Sequence, residues 1–412
     1  MPTTSTPQNS GYAQTHDPSK PRSDATIPFR ELIPPSGHPR IKGIDHLNAT
    51  EWCESRKHGP PAWLIDRLAA SNLEKPYKGF TSDGNLLEGV YSYAEDEGAP
   101  VEAMTDAAAA LLEMLSGEQR KEMQFESVEV DEFRLWSNPE LYVNPGGLRL
   151  DECSDEVQSA VHKLLIASLS EKGYQKVLGC CLTNGFLGHL VNGRSVLNKN
   201  SYNFRLFSQP DLQRPWGYTF FGHHLCLAVV VQGAEPDCID EGPHAGLRLF
   251  EVEELVPLKL MQSLPPDLQA KATLSVSMDG SALPPDRWNP FDERHLGGAR
   301  QDNRIVPYEG CPVKFFTREQ QDQIVAIFEA FNEYYPEAVL RHRVQNFRTH
   351  LDETYFAWIG TCGNDDPFYY RIHSPVAFME LDFHCGSRFS STLSDEHLAV
   401  TVSHTHDQQI AK

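Results

Sequence analysis

Along most of the chain the apolar positions follow one of two rhythms, a spacing of three and four or a spacing of two, and their succession outlines a fold. Val101 to Leu115, rich in Ala, Leu and Met, predicts a helix, and about Asp155 to Ser170 predicts another, with Val157, Val161, Leu164, Leu165 and Leu169 on one side. Glu251 to Ser263 predicts a third, with Glu251, Glu253 and Glu254 placed to favour its N-terminal dipole. Thr317 and Gln320 have capping-box spacing ahead of a stripe of Ile324, Ile327, Phe328, Phe331 and Tyr335 that stops before Pro336. "AWLIDRLAASNL", from Ala62, reads as one more helix.

Period-two alternation marks the strands. "ESVEVDEFRLW" alternates with one slip through Val128, Val130, Phe133 and Leu135. "YNFRLF" and "YTFFGHHLCLAVVVQG" follow, the latter long enough to be central in a sheet, and after Thr354 come "TYFAWIG", a "GNDDP" turn, "FYYRIHS" and "VAFMELDFHCG". Asp83-Gly84 is a hairpin signal. Residues 265–312 carry many Pro, Gly and Asp and read as loops and short helices suited to a lid. "GLRL" occurs at Gly147–Leu150 and Gly246–Leu249, but the interval to the next Ser-Leu pair differs, which speaks against a repeat. Without a regular βαβ period the pattern predicts an α+β fold, an antiparallel or mixed β-sheet core with packed helices. Residues 1–26, rich in Thr, Ser, Pro and Gln, are expected to be a disordered tail. Residues 27–412 then form a single large α+β domain, with 27–145 and 146–412 as its lobes if it divides.

Composition narrows the partners. Across 412 residues, 36 Lys and Arg face 57 Asp and Glu, a formal charge of −21 that repels nucleic acid and anionic membranes. The nine cysteines are scattered without a C-x-x-C pair and read as reduced thiols, and the N-terminus lacks an apolar signal segment, so a cytoplasmic protein with no membrane span is expected. No P-loop, G-x-G-x-x-G or kinase signature is present.

The candidate chemistry lies in the strands. In "FMELDFHCG" the period of two puts Glu380, Asp382 and His384 on one face. In "GHHLCLAV" it groups His224 with the small Cys226 and Ala228, and His223 with Leu225 and Leu227. Imidazole and carboxylate together suit Fe(II), Mn(II) or Zn(II), so His224, Glu380, Asp382 and His384 are candidate metal ligands, joined by His404 and His406 of "SHTHD". Arg371 and His373 share a strand face, where Arg371 could clamp a substrate carboxylate and His373 act as acid or base, and His223 is a further catalytic candidate. Each has a structural alternative. Glu380, Asp382 and His384 could be a wetted strand face, His224 a core histidine, and Arg371 the partner of Asp365 or Asp366.

The blocks "YKGFTSDG", "LWSNPE", "SYNFRLF", "PWGYTFFGHHL", "GLRLFEVEE", "TYFAWIG", "YYRIHSP" and "ELDFHCG", in order from about residue 28 to 386, resemble the fungal branch of the family known as domain of unknown function 3500. The resemblance implies a fungal cytosolic protein with a place in secondary metabolism. In that family the block like "ELDFHCG" is followed by an H-x-H element and an Arg-, Pro-, Asn-, Gly- and Asp-rich ending. Here "EHLAVTVSHTHDQQIAK" stands instead, so that either His404-Thr405-His406 is the displaced element or His397 is its first histidine, with Ala399 in place of the second.

The resulting expectation is a metal-dependent enzyme, an oxidoreductase slightly ahead of a hydrolase or lyase, acting on a small carboxylated substrate with a divalent metal, Fe(II) ahead of Zn or Mn. A non-catalytic binding or scaffold protein is the rival. A metal-free enzyme, with His223 or His224 as base and Glu380 as acid, is the third reading.

Overall fold

The computed structural model describes residues 35–58 apart from 36 and 40, 62, 65–66, 77–90 apart from 88, and 97–231 apart from 137–139 and 143–145; it also describes 249–383 apart from 289–293, 299–300, 302 and 365, and the backbone of 400–403. Among these residues it is an α+β protein with two mixed sheets, as the pattern predicts. The expected tail at 1–26, most of "AWLIDRLAASNL", and His384, His397, His404 and His406 lie outside the described residues.

The described chain after residue 97 runs twice through one sequence of elements. The first unit comprises helices α2 (Val101–Met114) and α3 (Gly117–Met123), strands β1 (Gln124–Phe125) and β2 (Leu148–Arg149), helices α4 (Asp155–Ser168) and α5 (Glu171–Leu190), and strands β3 (Tyr202–Phe207), β4 (Trp216–Gly222) and β5 (Leu225–Val231). The second has α6 (Glu251–Ser263), α7 (Pro266–Ala272), β6 (Thr273–Ser275), β7 (Cys311–Pro312), α8 (Arg318–Asn332), α9 (Glu337–Thr349), β8 (Tyr355–Gly360), β9 (Phe368–Ser374) and β10 (Ala377–Phe383), with β11 (Val400–Ser403) added at its edge. A short helix α1 (Ala49–Arg56), closed by an Asn48–Glu51 capping box, precedes both.

Strand pairing repeats with the order. β1 pairs parallel and β2 antiparallel with β3, which starts the antiparallel meander β3-β4-β5. β6 pairs parallel and β7 antiparallel with β8, which starts the meander β8-β9-β10. Gly147 and Gly310 show how closely the copies match. Both have left-handed φ, +85° and +92°, and a Cβ on either would come within 2.4 or 2.2 Å of a carbonyl oxygen, that of Phe204 or Phe356. Only glycine lets the strand after it approach so closely. The counterpart of "GLRL" at 147 is therefore "GCPV" at 310, not "GLRL" at 246, and the duplication is invisible to identity matching. A boundary at 145/146 would cut the first sheet, which takes β1 from one side of it and β2 to β5 from the other.

Helices cover one face of each sheet. Val157, Val161, Leu164 and Leu165 of α4 pack with Tyr202, Phe204, Tyr218 and Phe220; Ile324, Ile327, Phe328 and Phe331 of α8 pack with Phe356, Trp358, Tyr370 and Ile372. Ser154 caps α4, and Thr317 with Gln320 forms the expected box on α8. The units join through helices: Lys176 of α5 is buried against Glu253 of α6, and Ser170 N–H donates to Tyr334 O at 2.9 Å.

Two expectations are corrected. "ESVEVDEFRLW" forms a turn and a 3-10 turn over Asp131–Arg134, because its backbone carbonyls at Glu132 and Leu135 turn inward to Arg205 instead of pairing in a ladder. "YTFFGHHLCLAVVVQG" is two strands, since Gly222 pairs with Leu225 and His223-His224 is the two-residue turn between them. His224, the second residue of the turn, takes a left-handed φ of +56°, the sign a type II turn has at that position.

Candidate functional site

The sheet faces away from the helices are polar, and the second is the more charged. Tyr369, Arg371 and His373 of β9 point there together with Phe378, Glu380 and Asp382 of β10, paired across the ladder as Asp382–Tyr369, Glu380–Arg371 and Phe378–His373. This face is not wetted. Glu380 and Asp382 are at most 1% exposed, because the long connection between β6 and β7 lies over them.

That cover supplies a partner for nearly every charge. Glu380 accepts Leu296 N–H at 2.8 Å, Gly297 N–H at 2.7 Å and the Tyr369 hydroxyl. Arg294 Nε donates to Asp382 at 2.7 Å and its Nη1 to Met278 O at 2.7 Å. Arg371 Nη2 donates to Glu309 at 2.8 Å, a carboxylate that also takes a two-pronged contact from Arg287 at 2.8–3.1 Å. Asp366, which accepts Gly363 N–H instead, is thus not the partner of Arg371, and Asp365 lies outside the described residues. Burial pushes the Glu309 carboxyl up, but Arg287 and Arg371 outweigh it and leave its pKa below the usual carboxylate range.

Two atoms break this completeness. Arg371 Nε and His373 Nδ1 are buried with no hydrogen-bond partner among the described residues. The His373 ring is tilted against Tyr308, centroids 4.4 Å apart, and meets Phe378 edge-on. Burial first, and then the Arg371 charge, lower its pKa to about 3, so the imidazole is neutral at physiological pH. Tyr308, stacked on Tyr355, is raised to about 12 by burial and keeps its proton. A guanidinium N–H and a neutral ring nitrogen therefore lie two residues apart on one strand face.

The proposed metal ligands are not assembled among the described residues. Glu380 and Asp382 come together on β10, but their oxygens accept N–H and O–H donors, and Arg294 places a positive charge on Asp382. His224 belongs to the β4–β5 turn of the other sheet, where its ring lies 3.8 Å from that of His223. Among the described residues no three His, Cys, Asp or Glu side chains converge on a point that could hold a metal ion. His223 is likewise apart from Arg371 and His373, its Nδ1 bonded to Asn184 Oδ1 at 2.9 Å.

Arg287, Arg294, Tyr308 and Glu309 of the cover, and Tyr369 of β9, escaped the sequence reading. The signal for the cover was the density of Arg, Asp and Glu within a Pro- and Gly-rich stretch, which is unusual in a loop that has only to connect.

The profile of the family described as "Protein of unknown function (DUF3500)" matches residues 97–408, well over half of the chain. No curated protein and no solved structure matches it. Among the described residues no helix is long and apolar enough to cross a membrane.

Proposed function

Because the chain belongs to the DUF3500 family, whose description supplies no activity, we propose from the site alone that the second sheet carries an enzyme site for a small carboxylated organic molecule. One observation carries the reading: Arg371 Nε and His373 Nδ1 are both buried, lie two residues apart on one strand face, and have no partners among the described residues. A buried polar atom left without a protein partner is a place where a ligand or water can complete the bonding. A guanidinium prefers a carboxylate. The neutral imidazole beside it would hydrogen-bond the reacting part of the same molecule.

The carboxylate would also alter His373. Its negative charge offsets Arg371, so the imidazole pKa rises towards the range of a working acid or base when substrate is bound. Proton transfer by His373 would then be coupled to substrate occupancy.

The reading draws on no metal. A metal-dependent form would need Glu380 and Asp382 to exchange their present donors for an ion.

Thermal unfolding of the full chain with a panel of small carboxylic acids and their uncharged amides tests the proposal. Acids are expected to stabilise wild type and their amides not, and Arg371→Lys, which keeps the charge and loses the planar fork, is expected to abolish the difference. Acids and amides acting alike on wild type would overturn it.

A further inference from the structure

The first unit holds a small cleft at Asn203, the counterpart of Tyr355 in the second. Its walls include Glu140, Tyr142, Arg149, Ser201, Asn203 and His223. By ladder register Asn203 and Phe221 of the first sheet correspond to Tyr355 and His373 of the second, since Asn203 pairs with Phe221 as Tyr355 pairs with His373. About 280 Å³ of space, open solvent included, lies between these residues, with room within it for one water-sized group.

An independent observation points to a ligand. Asn203 is 6% exposed, lines the cleft, and its Oδ1 has no hydrogen-bond partner among the described residues. The neighbouring groups do not supply a donor. Ser201 Oγ donates to Asn198 O and accepts from Asn184 Nδ2, and Arg149 is turned to Asp151 and Val196 O. The lining also includes Glu140, whose carboxylate is another acceptor. His223 is fixed by Asn184.

We propose that this cleft is a second binding site, separate from the one on the second sheet, and that it takes the primary ammonium group of a small organic amine. The group asked for is a compact donor. An amide oxygen without a donor, a carboxylate and water-sized room together select an ammonium, which offers three N–H donors and no acceptor. Arg149 is paired with Asp151, and Glu140 is the carboxylate of the lining.

The probe is methylammonium chloride, compared in thermal unfolding of the full chain with sodium chloride and tetramethylammonium chloride at equal ionic strength. Wild type should be stabilised saturably by methylammonium and not by the other two, because tetramethylammonium carries the charge without N–H donors. Asn203→Leu should lose this response while unfolding no earlier than wild type in sodium chloride, since it removes an unsatisfied buried oxygen and not a bond. Glu140→Gln should raise the half-saturating concentration about tenfold, the loss of one charge-assisted hydrogen bond. Equal responses to the three salts, or a response retained in Asn203→Leu, would mean that the cleft holds only water. Should Asn203→Leu fail to fold, an unchanged half-saturation in Glu140→Gln overturns the proposal by itself.

Discussion

Arg205 and Arg371 sit at the same rung of two equivalent ladders, but on opposite strands of it. Arg205 on β3 faces Thr219 on β4, whereas Ala357 on β8 faces Arg371 on β9. Their bonding separates the two units. Arg205 donates to the carbonyls of Gly146, Glu132 and Leu135 at 2.7–2.9 Å and so fastens the cover of its sheet through backbone carbonyls. Arg371 bonds side chains, Glu309 and Tyr369, and keeps its Nε without a partner among the described residues. Gly146 and Glu309 each precede the left-handed glycine of their unit. The acceptor therefore comes from the same place, once as a backbone carbonyl and once as a carboxylate.

Arg205→Met is expected to destabilise the protein by at least about 3 kcal/mol, because it leaves buried carbonyls unpaired at about 1–3 kcal/mol each. Arg371→Met should cost less, about 2 kcal/mol, because Glu309 retains Arg287. Urea unfolding of the two variants checks the order, and a reversed order would contradict the division into a structural and a ligand-binding arginine.

Gly147→Ala and Gly310→Ala should each destabilise by more than about 2 kcal/mol, since the new methyl group meets a carbonyl oxygen and the backbone keeps a left-handed φ. Similar losses in both, read by thermal unfolding, are expected from their equivalence. Gly117→Ala, on α3 with nothing within 4 Å of the new Cβ, should be neutral or stabilising.

Much of the architecture was legible where one rhythm ran long enough. α6 matches its expected span of Glu251 to Ser263, and α4 and α8 carry the apolar stripes that named them. α5 was not legible, because Gly173, Gly179, Gly185 and Gly188 dilute its helix propensity. The structure requires at least one of them: a Cβ on Gly188 would lie 1.7 Å from Leu197 O. α9 buries only Val339, Arg343 and Phe347, too thin a stripe to stand out. The site was legible in half. Period two placed Arg371 with His373 and Glu380 with Asp382, but which residues bond across to them depends on a loop whose path no periodicity describes. The duplication escaped because register and glycine geometry persist between the units while side-chain identity does not.

His373 makes stability depend on pH. Its folded pKa of about 3 lies below the ordinary value of 6.5, so between these values the unfolded chain binds a proton that the folded chain does not. Stability from this group is complete above pH 6.5 and falls as the pH is lowered, by about 2 kcal/mol at pH 5 at 1.36 kcal/mol per unit. His373→Gln cannot titrate and should show a shallower decline between pH 6.5 and 4 in urea unfolding. Parallel curves for the two proteins would remove His373 as the cause.

Glu380 tests the metal question. Glu380→Gln exchanges charge-assisted bonds from Leu296 N–H and Gly297 N–H for neutral ones and loses an acceptor oxygen, so a cost of about 2–4 kcal/mol is expected. Elemental analysis of wild type and variant should give the same metal content. Stoichiometric metal in wild type that is lost in Glu380→Gln would instead assign this carboxylate to an ion.

Glu309 stands in for the substrate's own carboxylate in the proposed site. It occupies Arg371 Nη2 at 2.8 Å, and its charge is shared with Arg287 at the edge of the cover. A carboxylated ligand must compete with it or add at the remaining Nε. Glu309→Gln keeps the shape and removes the competing charge, so Arg371 recovers its full attraction for an anion. Small carboxylic acids should bind this variant about tenfold more tightly than wild type, a gain of about 1.4 kcal/mol, while the uncharged amides stay unaffected. Calorimetric titration of both proteins with the same acid measures the ratio. Weaker binding to Glu309→Gln would show that the carboxylate positions Arg371 for its ligand and does not compete with it.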